Sequence, residues 1–142
     1  EGQGAPEAVR AIGAATGGRI ACASGADLHK VKLQLGKVGI LDAFGNHVFS
    51  GQDMPHTKPH PDVYLAAAAA LGVDPKRCAV IEDTVTGATA GVAAGATVFG
   101  FSEGGPHHST PEALRAAGAK VIFQRMDQLP ALLAAYAASA AA

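Results

Sequence analysis

Residues 78–96, CAVIEDTVTGATAGVAAGA, restrict the fold more than any other stretch of this chain. An apolar run, Ala79-Val80-Ile81, breaks into two adjacent carboxylates, Glu82 and Asp83. Small and hydroxylated residues then lead into an Ala- and Gly-rich helical pattern. Short, continuous apolar runs mark parallel strands covered on both faces. The stretch therefore reads as a buried strand, an acidic turn and a tightly packed helix. Gly87, Gly91 and Gly95 are spaced to let that helix lie close to the sheet. In open parallel sheets ligands bind just beyond the carboxyl ends of the strands, which is where Glu82 and Asp83 would stand.

The same alternation runs along the whole chain. Pro6 suits the first turn of a helix that Gly17-Gly18 stops. Residues 19–23 read as a short buried strand ending at Ser24-Gly25. Asp27 is an N-cap for a helix whose apolar stripe is Leu28, Val31, Leu35 and Val38. Residues 39–44 read as a compact turn, 47–50 as a strand, 51–61 as a Pro- and His-containing loop carrying Lys58, and 62–71 as a helix. After the opening stretch come a strand at 97–101, a mobile loop at 102–111, a helix at 112–117, a strand at 120–123 and a terminal helix from 129 that frays into an alanine tail. This order predicts an α/β fold with a mostly parallel sheet and right-handed crossovers, in one domain over residues 1–142.

Composition removes several classes of function. Alanine makes up much of the 49% hydrophobic content and only 5% is aromatic, so small residues must pack the core. A formal net charge of -1 gives no electrostatic basis for binding nucleic acid or an anionic membrane. No run of about 20 apolar residues is present to span a bilayer. Cys22 and Cys78 fall in apolar runs and read as buried free thiols of a cytoplasmic, reducing setting.

Three polar points share one context. Ser24 ends one strand, Glu82 and Asp83 end another, and Lys58 lies in a loop between a strand and a helix. Carboxylates hold a hard cation such as Mg²⁺. A lysine neutralises phosphoryl charge, and a hydroxyl with a neighbouring glycine amide, here Gly25, donates to phosphate oxygens. Singly these residues read as turn, cap and surface residues; taken together in this order they point more strongly to a phosphate site with a metal.

The segments ACASGADLHKVKLQLGKVGILDAF, FSG, KPHPDVYLAAAAALGV and CAVIEDTVTGATAGVAAGA together resemble the core domain of the haloacid dehalogenase superfamily, in its β-phosphoglucomutase-like and sugar-phosphate phosphatase branch. FGFSEGGPHH and GAKVIF continue the likeness. The resemblance implies a three-layer α/β/α, Rossmann-like parallel sheet, a Mg²⁺ cofactor and phosphoryl transfer through an aspartyl phosphate. It makes Ser24 the phosphate-binding hydroxyl and places the Gly25 amide in the phosphate pocket. Lys58 becomes the lysine that steadies the phosphorylated aspartate, Asp83 the metal carboxylate and Glu82 a second acidic contact. Adjacent carboxylates favour a Mg²⁺ phosphotransferase over a dehalogenase, which needs no metal.

The departures matter as much. The family's first motif is Asp-x-Asp after its first strand, and no two aspartates here are separated by a single residue. Glu1-Gly2 resembles the stretch that follows the family's helical cap. The resemblance thus implies that the first strand, the attacking aspartate and the cap lie outside these residues. That strand would sit between the Cys22 and Cys78 strands, leaving them about 9–10 Å apart with facing unpaired edges and too distant for a disulfide. Gly25-Ala26 stands where the family often has Asn or Ser, which leaves the backbone to hold phosphate.

Prolines around His56 and His60 argue against one helix presenting both to a metal, and His107-His108 reads as a solvated or rim pair. No GxGxxG fingerprint for a dinucleotide is present. Three readings result: a Mg²⁺-dependent phosphatase of small phosphate monoesters such as sugar phosphates, a β-phosphoglucomutase-like phosphomutase, or a non-catalytic module that binds phosphate and metal. An Asp-x-Asp upstream of Glu1 would separate the enzymes from the binding module.

Overall fold

The structure is a computed structural model and describes residues 4–141. Of the flexible start that the sequence suggests at residues 1–4, residues 1–3 lie outside them, as does the last residue of the alanine tail.

Helix α1 (Ala5–Ala15) leads to strand β1 (Cys22–Ser24), helices α2 (Leu28–Lys37) and α3 (Leu41–Phe44), and strand β2 (Val48–Ser50). Helix α4 (Asp62–Leu71), strand β3 (Ala79–Glu82), helix α5 (Val85–Ala93) and strand β4 (Thr97–Phe101) follow. Helix α6 (Pro111–Ala116), strand β5 (Val121–Phe123) and helix α7 (Leu129–Ala141) complete the chain. Side chains fix the helix starts: Asp27 accepts the Lys30 amide at 3.0 Å, as the sequence predicts, and Thr84 accepts the Gly87 amide at 3.0 Å and Thr110 the Ala113 amide at 3.1 Å in the same way. Gly72, at φ +70°, ends α4 in the left-handed region that glycine enters without strain.

Every strand pair is parallel, as helical crossovers require. The strands form two ladders, β1–β2 and β3–β4–β5, not one continuous sheet. β1 and β3 each have one hydrogen-bonded neighbour among the described residues, so each keeps a free edge. Residues alternate between the two faces of the larger ladder. Val80 and Val98 meet Ala88, Leu114 and Ala119 on one face, with Tyr64 of α4 packed against them. Phe99, Phe101 and Phe123 meet Leu129 on the other, with Ile12 of α1 and Leu132 of α7 alongside. Helices therefore cover both faces, giving the expected three layers. Helix α4 also packs on β1 and β2, so it is shared by the two ladders.

The glycines within and just after α5 act differently from one another. A Cβ on Gly91 would stand 2.7 Å from Val98 Cγ2 and 3.0 Å from Val80 Cγ1, so Gly91 sets the helix–sheet distance. Gly95, at φ +91°, makes the turn into β4.

Several local expectations change. Within the compact turn expected at 39–44, residues 41–44 form a short helix. Val38 caps α2 and is 37% exposed, because the helix stops at Lys37; only Val31 of its stripe is fully buried. Cys78 lies just before β3, and both cysteines are free and half-buried rather than buried. The loop expected at 102–111 gives its last residue to α6, and within it the buried Ser102 hydroxyl donates to the Ser109 carbonyl at 2.8 Å. No helix among the described residues is long and apolar enough to cross a membrane.

Candidate functional site

The carboxyl ends of β1 and β3 carry the predicted polar residues, and both Ser24 and Glu82 are the last residues of their strands rather than part of the following turns. Ser24 is half-buried, and its Oγ accepts the Ala26 amide at 3.1 Å. That bond uses a lone pair and leaves the hydroxyl proton free to donate. Gly25 is exposed, and a Cβ there would meet nothing within 4 Å, so a ligand can approach its backbone.

Two side chains not foreseen from sequence brace this turn. The Ser50 hydroxyl, 1% exposed, donates to the Ala26 carbonyl at 2.6 Å and accepts the Gln52 amide at 3.1 Å. The Gln52 side-chain amide donates to the Gly25 carbonyl at 3.1 Å. The signal for Ser50 was a polar residue ending an otherwise apolar strand, opposite Ser24 in register.

Lys58 reaches from its loop to the gap between the ladders. Its ammonium is 2.6 Å from Glu82 Oε2 and 3.5 Å from the Ala23 carbonyl, one residue before Ser24. One lysine thus touches the ends of both β1 and β3. The pair is largely removed from water, with side chains 17% and 8% exposed, so each charge depends on the other. The Lys58-Pro59 peptide is cis.

Glu82 and Asp83 diverge as the chain leaves β3: Glu82 ends the strand with its side chain buried, and Asp83 opens the following turn exposed. Glu82 is buried, accepts from Lys58 and from the Tyr64 hydroxyl on Oε2, and lies within 3.4 Å of the Thr84 hydroxyl through Oε1. A Cβ on Gly87 would be 2.0 Å from Oε1, so the carboxylate occupies space that only glycine leaves open. Expected beside Asp83 as a second metal contact, Glu82 stands in this geometry as the counter-ion of Lys58. Asp83 is exposed and enters no ion pair among the described residues. It borders a cavity of about 250 Å³ with Glu82, Ile81, Phe101, Glu103 and Met126. Lys58 and Ser24 do not line this cavity, whose wall also includes Ala5 of α1.

Tyr64 is the other residue the sequence did not single out. Its ring centroid is 4.9 Å from the Lys58 ammonium while its hydroxyl donates to Glu82. Burial, reinforced by the Glu82 charge, holds the phenol protonated well above the ordinary tyrosine range. Burial also raises the Cys22 thiol, an effect the Lys58 charge partly offsets.

Among the described residues no three His, Cys, Asp or Glu side chains converge on one point. The donor set suits Mg²⁺ better than a closed protein cage. That ion takes one or two carboxylates, with substrate oxygens and water supplying the rest, and the exposed Asp83 could supply one such oxygen. His56 and His60 have ring centroids 4.8 Å apart on an exposed loop, and His56 Nδ1 lies 3.6 Å from Asp62. His107 is exposed, and His108 pairs with Glu103 at 3.2 Å.

Comparison with known proteins bears on the same residues. The chain is 41% identical over 75 residues to hexitol phosphatase B of Escherichia coli (strain K12), covering 53% of this chain and 33% of that protein. It is 37% identical over 73 residues to 6-phosphogluconate phosphatase of the same strain, covering 51% of this chain and 33% of that protein. The matched stretch thus spans about a third of the length of these curated relatives. A haloacid dehalogenase family hydrolase from Deinococcus radiodurans, solved with bound phosphate and sodium, superposes with a TM-score of 0.82 at 38% identity, over 93% of this chain and 58% of that one. The family match to the haloacid dehalogenase-like hydrolases runs over residues 2–95, from α1 through Ser24, Lys58 and Asp83 to the end of α5. With fold, strand-end residues and family match in agreement, the chain belongs to the haloacid dehalogenase-like hydrolases.

Proposed function

We propose that this chain provides the phosphate-handling part of a Mg²⁺-dependent phosphatase acting on small phosphate monoesters such as sugar phosphates. The observation that carries the reading is Lys58, held by the buried Glu82 carboxylate between the ends of β1 and β3 and one residue from Ser24. Phosphatases of hexitol phosphates and of 6-phosphogluconate among the relatives support the substrate class. Bound phosphate in the Deinococcus structure supports an anion site on this fold.

Each residue then has a role. The Ser24 hydroxyl and the Gly25 amide donate to phosphate oxygens. Lys58 neutralises charge on the transferring phosphoryl group, and Glu82 keeps its ammonium in place. Asp83 would hold Mg²⁺, which when bound adds positive charge against the phosphoryl oxygens. The attacking aspartate comes from a strand outside these 142 residues, paired to the free edges of β1 and β3. The 142 residues by themselves would bind phosphate without turning it over.

The test is phosphate release from a panel of sugar phosphates by the protein that includes the attacking segment. Release should require Mg²⁺, and Asp83→Asn should remove most of it. Undiminished turnover by that variant at limiting Mg²⁺ would sink the assignment. Isomerised sugar phosphate in place of free phosphate would make the protein a phosphomutase.

A further inference from the structure

Lys58 and Glu82 form a pair whose geometry neither residue sets alone. Lys58 hangs from a loop by four methylenes, and its ammonium could point to several acceptors. Glu82 could turn about its own side-chain torsions toward Asp83. Tyr64 meets both. Its ring is fixed in α4 against the Val80, Ala88 and Leu114 cluster, which places the hydroxyl. That hydroxyl donates to Oε2 of Glu82, the same oxygen that receives the Lys58 ammonium. The ring itself lies 4.9 Å below the ammonium. On the far side the carboxylate rests in the space left by Gly87, against the first turn of α5.

We propose that Tyr64 is a positioning residue for phosphoryl transfer: its hydroxyl locks the Glu82 oxygen that carries Lys58, fixing the ammonium beside Ser24 and keeping Glu82 away from a cation at Asp83. The proposal rests on the phosphate role given to Lys58 above. Tyr64 touches neither phosphate nor metal; it acts through Glu82. A tyrosine that only filled the core would be replaced by phenylalanine with no effect on Lys58.

Tyr64→Phe keeps the ring and its packing and removes the hydroxyl alone. In the full chain, the ammonium protons of Lys58 can be followed by nitrogen-15 NMR, assigned by their loss in Lys58→Arg. Losing a hydrogen bond to a charged group should speed their exchange with water roughly tenfold in Tyr64→Phe. The dissociation constant for inorganic phosphate should rise roughly three- to tenfold, with the thermal melt still cooperative. In a Glu82→Gln background the lysine is already released, so adding Tyr64→Phe should change the exchange rate by less than about twofold.

Exchange in Tyr64→Phe equal to that of the parent, while Lys58→Met binds phosphate weakly, would overturn the role of Tyr64 alone. A full effect of Tyr64→Phe in the Glu82→Gln background would also overturn it. Lys58→Met binding phosphate as tightly as the parent would instead overturn the phosphate reading beneath the proposal.

Discussion

Gly87→Ala sets two known effects against each other. Gly87 lies inside α5 and is not in the left-handed region, so alanine suits its backbone. Helix propensity alone predicts a gain of about 1 kcal/mol. The added Cβ, however, would stand 2.0 Å from Glu82 Oε1 and 2.1 Å from its Cδ. A carboxylate at the end of a free side chain would swing away at little cost. This one is tied to Lys58 and Tyr64, and a shift of about 1 Å or more, needed to reach ordinary contact, breaks their geometry. Losing hydrogen bonds to a buried charge costs about 1.5–3 kcal/mol each. Even partial loss of both outweighs the helical gain and gives a net destabilisation of about 2 kcal/mol. Urea unfolding of parent and variant measures it. In a Glu82→Ala background the obstruction is gone, and Gly87→Ala should then stabilise by up to about 1 kcal/mol. Stabilisation by Gly87→Ala in the parent chain itself would refute the cradle.

Other outcomes follow from the same geometry. Gly91→Ala pushes a methyl to 2.7 Å from Val98 Cγ2, and should cost about 1–3 kcal/mol in a urea melt by wedging α5 off the sheet. Because the folded Tyr64 pKa is raised, its contribution to stability is complete below the unfolded value of about 10 and is lost as pH rises above it. Unfolding free energy should therefore fall more steeply above about pH 10 in the parent than in Tyr64→Phe, and equal slopes would contradict the buried phenol. Burial holds the Cys22 thiol protonated, so iodoacetamide should modify it roughly tenfold more slowly in the folded chain than in urea at the same pH.

The fold was largely legible from periodicity and punctuation. Helix α4 and strand β4 fall where the sequence puts them, because Pro61 and Gly72 bound one and a continuous apolar run forms the other. Asp27 and Thr84 cap as small polar residues before apolar periods do. Strand ends were harder. Ser24 and Glu82 are polar residues drawn into β1 and β3 because a neighbouring strand pairs with each, and pairing is a long-range property no local pattern states. The site was legible as residue types and not as partnerships. Glu82 and Asp83 look alike in sequence, yet the end of β3 falls between them, with one buried and the other exposed. Tyr64 lies six positions after Lys58 in an Ala-rich helix that reads as packing alone; only the meeting of α4 with β3 turns its hydroxyl toward a carboxylate. Gly87 likewise reads from its spacing as a helix–sheet contact, and only the fold shows that it makes room for Glu82.

The central claim is that Lys58, kept at the rim by Glu82, and Asp83, left open beside it, serve phosphate and metal respectively. A crystal structure of the chain grown with inorganic phosphate and Mg²⁺ tests this most directly. Phosphate should lie against the Lys58 ammonium, the Ser24 hydroxyl and the Gly25 amide, with the cation on Asp83 and Glu82 still paired to Lys58. Phosphate bound away from Lys58, or Glu82 turned onto the cation with Lys58 released, would contradict the account.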